Sequence, residues 1–323
     1  ACELRPIGIN MAARIHRDSP PEYVERIARV YLSGSPMPAL YNDDVYVPAL
    51  RRHYDTPIQD ARNYGIVGCV EPVASDDHFA NTDAANVNVV LPFLQALEGD
   101  ERPLWKWGDL GTLDQRLENV VRSGLRRLDD GGPVRRRLAT ALRHARDRLP
   151  GPRRAAPGSM DELLARFDTR LRAVVRDILA DQQRIETALA DHLPTPLASS
   201  LYAGCMASGR DAYDGGTRHN SSGIQAVGVT DVADSLAAID ALVFRQGRYT
   251  LAEVLDAMEA DFQGERHAGL HRDLLAVPKF GDDAAPDAAH WMHRVLALYV
   301  DALRDTPHAH RDGKFVAGYY GLN

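Results

Sequence analysis

Cys69 and Glu71 stand two residues apart in Gly68-Cys69-Val70-Glu71-Pro72, between a glycine and a proline that bend the chain. In extended backbone, residues i and i+2 face the same way, so the thiol and the carboxylate point toward one small molecule. Such a pair suits radical or nucleophilic attack coupled to proton transfer. The same cysteine also fits a plainer role as a small buried hydrophobe. The other cysteines, Cys2 and Cys205, lie far off in sequence. Three thiols, widely spaced, argue against a disulfide framework and a Cys-rich zinc site and fit a reducing cytoplasm. His290 and His293 would share a helical face as metal ligands do, with His308 and His310 nearby, but no cysteine or glutamate motif completes a zinc site, and surface histidines are the better reading. No phosphate-binding loop, dinucleotide fingerprint or serine nucleophile elbow is present.

Elements must position that loop. Tyr64-Gly65-Ile66-Val67 is a short apolar run ended by Gly68 and reads as a strand leading into the cysteine. Gly223 to Val229 is a second strand candidate, whose glycines point to close backbone approach. Val45-Tyr46-Val47 is a weak third. Helix starts are marked by Ser19-Pro20-Pro21-Glu22, by Thr56-Pro57-Ile58-Gln59 (a short helix), by Ser159-Met160-Asp161-Glu162 and by Thr250-Leu251-Ala252-Glu253. The third opens a long pattern through Leu163, Leu164, Phe167, Leu171, Val174, Val175 and Ile178. Asp234 is placed to cap a helix through Leu236, Ile239, Leu242 and Val243, and 288–303 reads helical. Many helices with scattered short strands predict an α/β architecture.

The 323 residues are 45% apolar and 26% charged, enough for one large core. A net charge of −7 argues against nucleic acid as a partner, and no apolar run is long enough to span a membrane. From Val134 to Arg154 there are eight arginines, which read as a solvated helix and linker, or as an anion- or partner-binding patch.

Gly68-Cys69-Val70-Glu71-Pro72 after an apolar strand resembles the cysteine loop of the glycyl radical enzymes, in the branch containing glycerol and propanediol dehydratases and choline trimethylamine-lyase. Other stretches carry the same resemblance. Pro38-Ala39-Leu40-Tyr41-Asn42-Asp43-Asp44 looks like the segment upstream of the cysteine strand. Thr82-Asp83-Ala84-Ala85-Asn86-Val87-Asn88 looks like the helix start after the loop. Gly215-Gly216-Thr217-Arg218-His219-Asn220, 223–229 and Asp231 to Ile239 are strong matches. The similarity covers nearly all the chain and is weakest at about 103–158, the divergent Arg-rich segment.

The resemblance implies that Cys69 carries a hydrogen atom between a backbone glycyl radical and the substrate. It implies that Glu71 is the base for a substrate hydroxyl, and that Asp83, fourteen residues after Cys69, holds a hydroxyl and helps protonate the departing one. Asp83 also fits a helix N-cap. His219 and Asn220 are implied near the substrate, or as structural polar groups. Adjacent cysteines, as in pyruvate formate-lyase itself, are absent here, which argues against the pyruvate reaction.

Phe315-Val316-Ala317-Gly318-Tyr319 looks like the family's radical motif, but Phe315 stands where an arginine is expected. Gly318 follows Cys69 by 249 residues, too few for the family. The segment better resembles a run that precedes the radical domain. The expected fold is therefore half of a ten-stranded α/β barrel surrounded by helices, as a single-domain fragment over 1–323. The expected function is part of a lyase or dehydratase for a small hydroxylated substrate. The other reading is a catalytically silent fragment or binding subunit that needs partner chains. This chain is expected to bind no cofactor or metal of its own. The glycyl radical is expected on a missing C-terminal domain or a separate chain, installed by a radical S-adenosylmethionine activase. A homo-oligomer is expected from the exposed half-barrel edge.

Overall fold

Residues 11–35, 37–68, 71–74, 77–99, 155–282, 285–304, 306, 311 and 313–320 are described by a computed structural model. Cys2, Cys69, the Arg-rich run, His308 and His310 lie outside the described residues. The chain divides into two compact units, one of residues 1–87, 178–226 and 303–320, the other of 88–177, 227–302 and 321–323.

In the first unit β1 (Ala12–Ile15) pairs in parallel with β2 (Ala39–Asn42), Ala12 opposite Ala39 and Ile15 opposite Asn42, across helix α1 (Pro21–Leu32). Helix α2 (Asp43–Tyr54) follows directly, because Asn42 caps it by accepting the Asp44 N–H at 2.9 Å and two aspartates fill its first turn. That start overrides the β-branched character of Val45-Tyr46-Val47, which is helix and not the weak strand expected. Helix α3 (Ile58–Arg62) is short, as expected. An antiparallel pair, β3 (Gly65–Val67) and β4 (Glu71–Val73), sets Val67 opposite Glu71. Tyr41, Val47, Leu50, Ala61, Tyr64 and Ala74 form the core beside this hairpin. Arg14 fastens β1 to it: its guanidinium bonds both oxygens of Asp43 at 2.9 Å and lies 3.9 Å over the Tyr64 ring. The Tyr64 hydroxyl donates to Asp43 at 2.8 Å.

A three-stranded sheet has the order β5 (His78–Asn88), β6 (His219–Val227), β7 (Lys314–Tyr320). Residues 82–88, expected to start a helix, are strand. The Thr82 carbonyl accepts the Gln225 amide N–H at 2.8 Å, and its backbone lies against Gly223. The helix begins only at α4 (Val90–Glu98), where Asn88 accepts the Val90 N–H at 3.0 Å.

Helix α5 (Met160–His192) is the longest element. Leu163, Phe167, Leu171, Val175 and Leu179 are all fully buried, one residue in four, and Gln182 and Glu186 continue the buried face. Short helices α6 (Pro196–Ser199) and α7 (Ala203–Ser208) lead to β6. In the second unit Phe93 meets Phe167 edge-on at 5.9 Å. Helix α8 (Val229–Ile239) is capped at Gly228, six residues before the expected Asp234 cap, and runs on as a π-helical turn, Asp240–Arg245. Asp234 instead accepts the Phe280 N–H at 2.7 Å. Helices α9 (Leu251–Glu259), α10 (Glu265–Ala276) and α11 (Pro286–Arg304) complete it. Thr250 and Glu253 form the full capping box expected. Pro20 and Pro57 take the cap positions of α1 and α3, so those two boxes do not form. The architecture is mixed α/β and helix-rich, as expected, with described strands in sheets of two, two and three.

Candidate active site

The corner of the β3–β4 hairpin brings Gly68, Glu71 and Thr82 together. Gly68 has φ +59°, a left-handed conformation that side chains disfavour. A side-chain carbon added there would sit 2.6 Å from Glu71 Oε2 and 3.5 Å from Thr82 Oγ1. The Glu71 carboxylate therefore folds back over the Gly68 backbone, with the Thr82 hydroxyl of β5 facing the same point. Glu71 is 8% exposed, whereas Gly68 at the corner is exposed. Tyr41, which feels the Glu71 charge, has its hydroxyl pushed up to about 12, mainly by burial, then by Tyr46 and Glu71. A buried carboxylate beside an accessible backbone corner can take a proton from a small molecule seated over that corner. Cys69 and Val70, between Gly68 and Glu71 in sequence, fall outside the described residues.

Asp83 follows Thr82 in β5 and is exposed, in a strand and not at a helix N-cap. His219 opens β6. Its N–H donates to the Asp77 carbonyl at 3.0 Å, and its ring meets His78 edge-on at 5.9 Å. Burial and the neighbouring Arg218 charge hold the His219 imidazole below its ordinary value, against Asp60 and Asp77. The Asn220 amide turns back on its own loop, donating to the Thr217 carbonyl at 3.0 Å and facing the Thr217 hydroxyl at 2.8 Å. Of the residues named from sequence, the structure sets Glu71 at the Gly68 corner and gives Asn220 partners within its loop.

Three features were not read from sequence. His78 is buried, and its Nδ1 accepts the Ala74 N–H at 3.0 Å, so the neutral ring carries its proton on Nε2 and faces Ser221 Oγ at 2.9 Å. That ring ties the end of β4, three residues after Glu71, to β6. Secondly, the Gln225 side chain crosses the sheet from Thr82 to β7, where a carbon on Gly318 would lie 2.1 Å from its Oε1. Gly318 is thus a glycine that makes room for Gln225. Lastly, Arg311 and Glu186, each 1% exposed at the side chain, pair at 3.2 Å, with Arg311 also bonding Ser222 Oγ and the Ser221 carbonyl. Gln182 donates to Glu186 at 2.9 Å, and Phe79 lies 5.0 Å under the guanidinium. The buried stripe of α5 was the available signal: it continues past Leu179 onto Gln182 and Glu186.

Cys205 is 4% exposed, and its thiol is pushed up by burial, then by Asp77 and Asp211, which suits an unreactive structural cysteine. His290 and His293 are both exposed on α11.

Comparison with known proteins identifies the family. The family described as pyruvate formate lyase-like matches residues 6–108 and 150–323. A (2S)-3-sulfopropanediol dehydratase of Klebsiella oxytoca is 28% identical over 318 residues, 97% of this chain and 33% of the relative. A trans-4-hydroxy-L-proline dehydratase of Clostridioides difficile is 25% identical, over 87% of this chain and 30% of its own length. Among solved structures, a glycyl radical enzyme from Archaeoglobus fulgidus superposes with a TM-score of 0.73 at 28% identity, over 98% of this chain and 35% of that one. A glycerol-bound glycerol dehydratase of Clostridium butyricum shares the fold, with a TM-score of 0.72 at 23% identity, over 96% of this chain and 34% of that one. The chain spans about a third of the length of the relatives it matches. With a match over most of its residues, this chain belongs to the pyruvate formate lyase-like family.

Proposed function

We propose that this chain supplies the thiol and carboxylate of a glycyl radical dehydratase acting on a small molecule with hydroxyls on adjacent carbons. The observation that carries this reading is the buried Glu71 carboxylate folded over the exposed Gly68 corner, in a chain whose relatives include dehydratases. The glycyl radical, installed by a radical S-adenosylmethionine activase on a segment outside this chain or on a separate chain, supplies the unpaired electron. Cys69 gives its S–H hydrogen atom to that radical and, as a thiyl, takes a hydrogen atom from one carbinol carbon. Glu71 accepts the proton of that carbon's hydroxyl, and the neighbouring carbon–oxygen bond breaks. The departing hydroxide, held by Asp83, is protonated to water with the proton Glu71 took up. Cys69 returns its hydrogen atom to the carbon radical that remains. A carbonyl compound and water account for every atom, with no net oxidation. His219 lines the substrate side of β6 and Asn220 shapes the loop beside it. A reducing, anaerobic cytoplasm suits both the thiol and the radical, and a homo-oligomer is the expected assembly. Among the described residues no helix is long and apolar enough to cross a membrane.

The test is anaerobic activation of the complete protein, followed by electron paramagnetic resonance and turnover of a panel of vicinal diols. A glycine-centred signal and carbonyl product are expected, and Glu71→Gln should cut kcat by about a hundredfold or more. A Glu71→Gln variant with wild-type turnover overturns the assignment of Glu71.

The coverage of about a third of each relative supports a second reading, in which the chain is a catalytically silent fragment or binding subunit that needs partner chains for the rest of the fold and the glycyl radical. Loss of product on Cys69→Ala in the activated complete protein would exclude a silent role for this chain.

A further inference from the structure

We propose that Thr82 is a positioning residue for Glu71, its hydroxyl orienting the carboxylate over Gly68, and that Gln225 locks Thr82 in place. The proposal rests on the role of Glu71 given above and extends it to a residue with no role in that scheme. Thr82 Oγ1 and Glu71 Oε2 both approach the point where a Gly68 side chain would begin, at 3.5 and 2.6 Å. The two oxygens are therefore no farther apart than the sum of those distances and make no direct bond, so the hydroxyl acts on the carboxylate through one bridging water.

Thr82 is held from behind by two independent contacts. Its carbonyl accepts the Gln225 Nε2–H at 2.8 Å, and a carbon on Gly223 would lie 2.0 Å from that same carbonyl oxygen. Gln225 is itself 5% exposed and seated on Gly318 of β7. The backbone that aims the Thr82 side chain is thus fixed by β6 and β7 together. A hydroxyl aimed by a rigid sheet at a carboxylate is the arrangement that holds a catalytic base in one orientation. Thr82 touches Glu71's surroundings and no reacting atom, so its effect falls on kcat and leaves KM nearly unchanged.

The experiment compares Thr82→Val, which keeps the shape and removes the hydroxyl, with Thr82→Ser, which keeps the hydroxyl. In the activated complete protein, Thr82→Val should lower kcat by about ten- to a hundredfold with KM within about twofold. Thr82→Ser should recover most of that loss. In parallel, the Glu71 carboxyl carbon is followed by nuclear magnetic resonance in the 323-residue chain at fixed neutral pH, identified by its loss in Glu71→Gln. Thr82→Val should move that signal beyond the spread of the other glutamates, and Thr82→Ser should leave it near its original place. An unmoved Glu71 signal in a folded Thr82→Val chain overturns the proposal, whatever the activity. A moved signal with turnover unaffected by Glu71→Gln sinks the reading of Glu71 as base while Thr82's hold on it stands.

Discussion

Gly68 shows how one atom decides a site. An alanine there meets two costs: a left-handed φ of +59°, about 1–2 kcal/mol for a side chain, and a carbon 2.6 Å from the Glu71 carboxylate. The carboxylate is the mobile end of a side chain, so it gives way and the chain still folds. Gly68→Ala should therefore lose about 1–2 kcal/mol in denaturant unfolding but nearly all turnover, because Glu71 is expelled from the corner. Asp211 gives a pH-dependent counterpart. Burial pushes its carboxyl up, but bonds from Tyr213, Ser199 and Thr195 outweigh burial and leave it below the usual carboxylate range. The unfolded chain then takes up a proton first as pH falls below about 4. The stabilisation is complete above that point and is lost as pH falls through the folded value. Thermal unfolding should show Asp211→Asn with a lower midpoint than wild type at neutral pH and a gap that narrows in acid. Glu71 was legible from its spacing to a cysteine. The Arg311–Glu186 pair was not, since 125 residues separate the two and the α5 stripe marks Glu186 as buried without naming its partner.

At the level of elements, helices were read better than strands. Thr250–Glu253 and the stripe of α5 announce themselves by side chains that act locally. Strand β5 carries mostly polar and small residues, Asn81-Thr82-Asp83-Ala84-Ala85-Asn86, and nothing in them alone forbids a helix. It is strand because β6 takes its backbone bonds, which is a tertiary fact. The weak strand at Val45-Tyr46-Val47 failed the opposite way, since Asn42 and two aspartates nucleate a helix over them. Gln225 and Gly318 supply the test of the β6–β7 contact. Gly318→Ala puts a carbon 2.1 Å from the Gln225 side chain and should destabilise by about 1–3 kcal/mol. Adding Gln225→Ala should relieve much of that penalty, so a double-mutant cycle gives a coupling of about 1 kcal/mol or more. Additive losses would show that the two residues do not press on each other.

For the whole molecule, the buried Arg311–Glu186 pair joins residues distant in sequence: α5, β5, β6 and the segment entering β7. Removing one partner leaves a charge without compensation in the interior, so Arg311→Met should cost about 3–5 kcal/mol in chemical denaturation. The chain belongs to a family whose matched relatives are about three times its length, and the cysteine-loop resemblance, read from a few residues, extends over nearly all of it. Local motifs made the family legible because glycine, cysteine and glutamate stand at fixed spacing in one short run. Buried networks stayed hidden because they depend on partners that only the fold brings together. In the proposed reaction Cys69 carries the hydrogen atom. That role is read out by activating the complete protein anaerobically as wild type and as Cys69→Ala, then measuring carbonyl product from a vicinal diol. The variant should keep the glycine-centred paramagnetic signal and make no product above background, whereas product formation by Cys69→Ala at a rate near wild type would rule out Cys69 as the hydrogen-atom carrier.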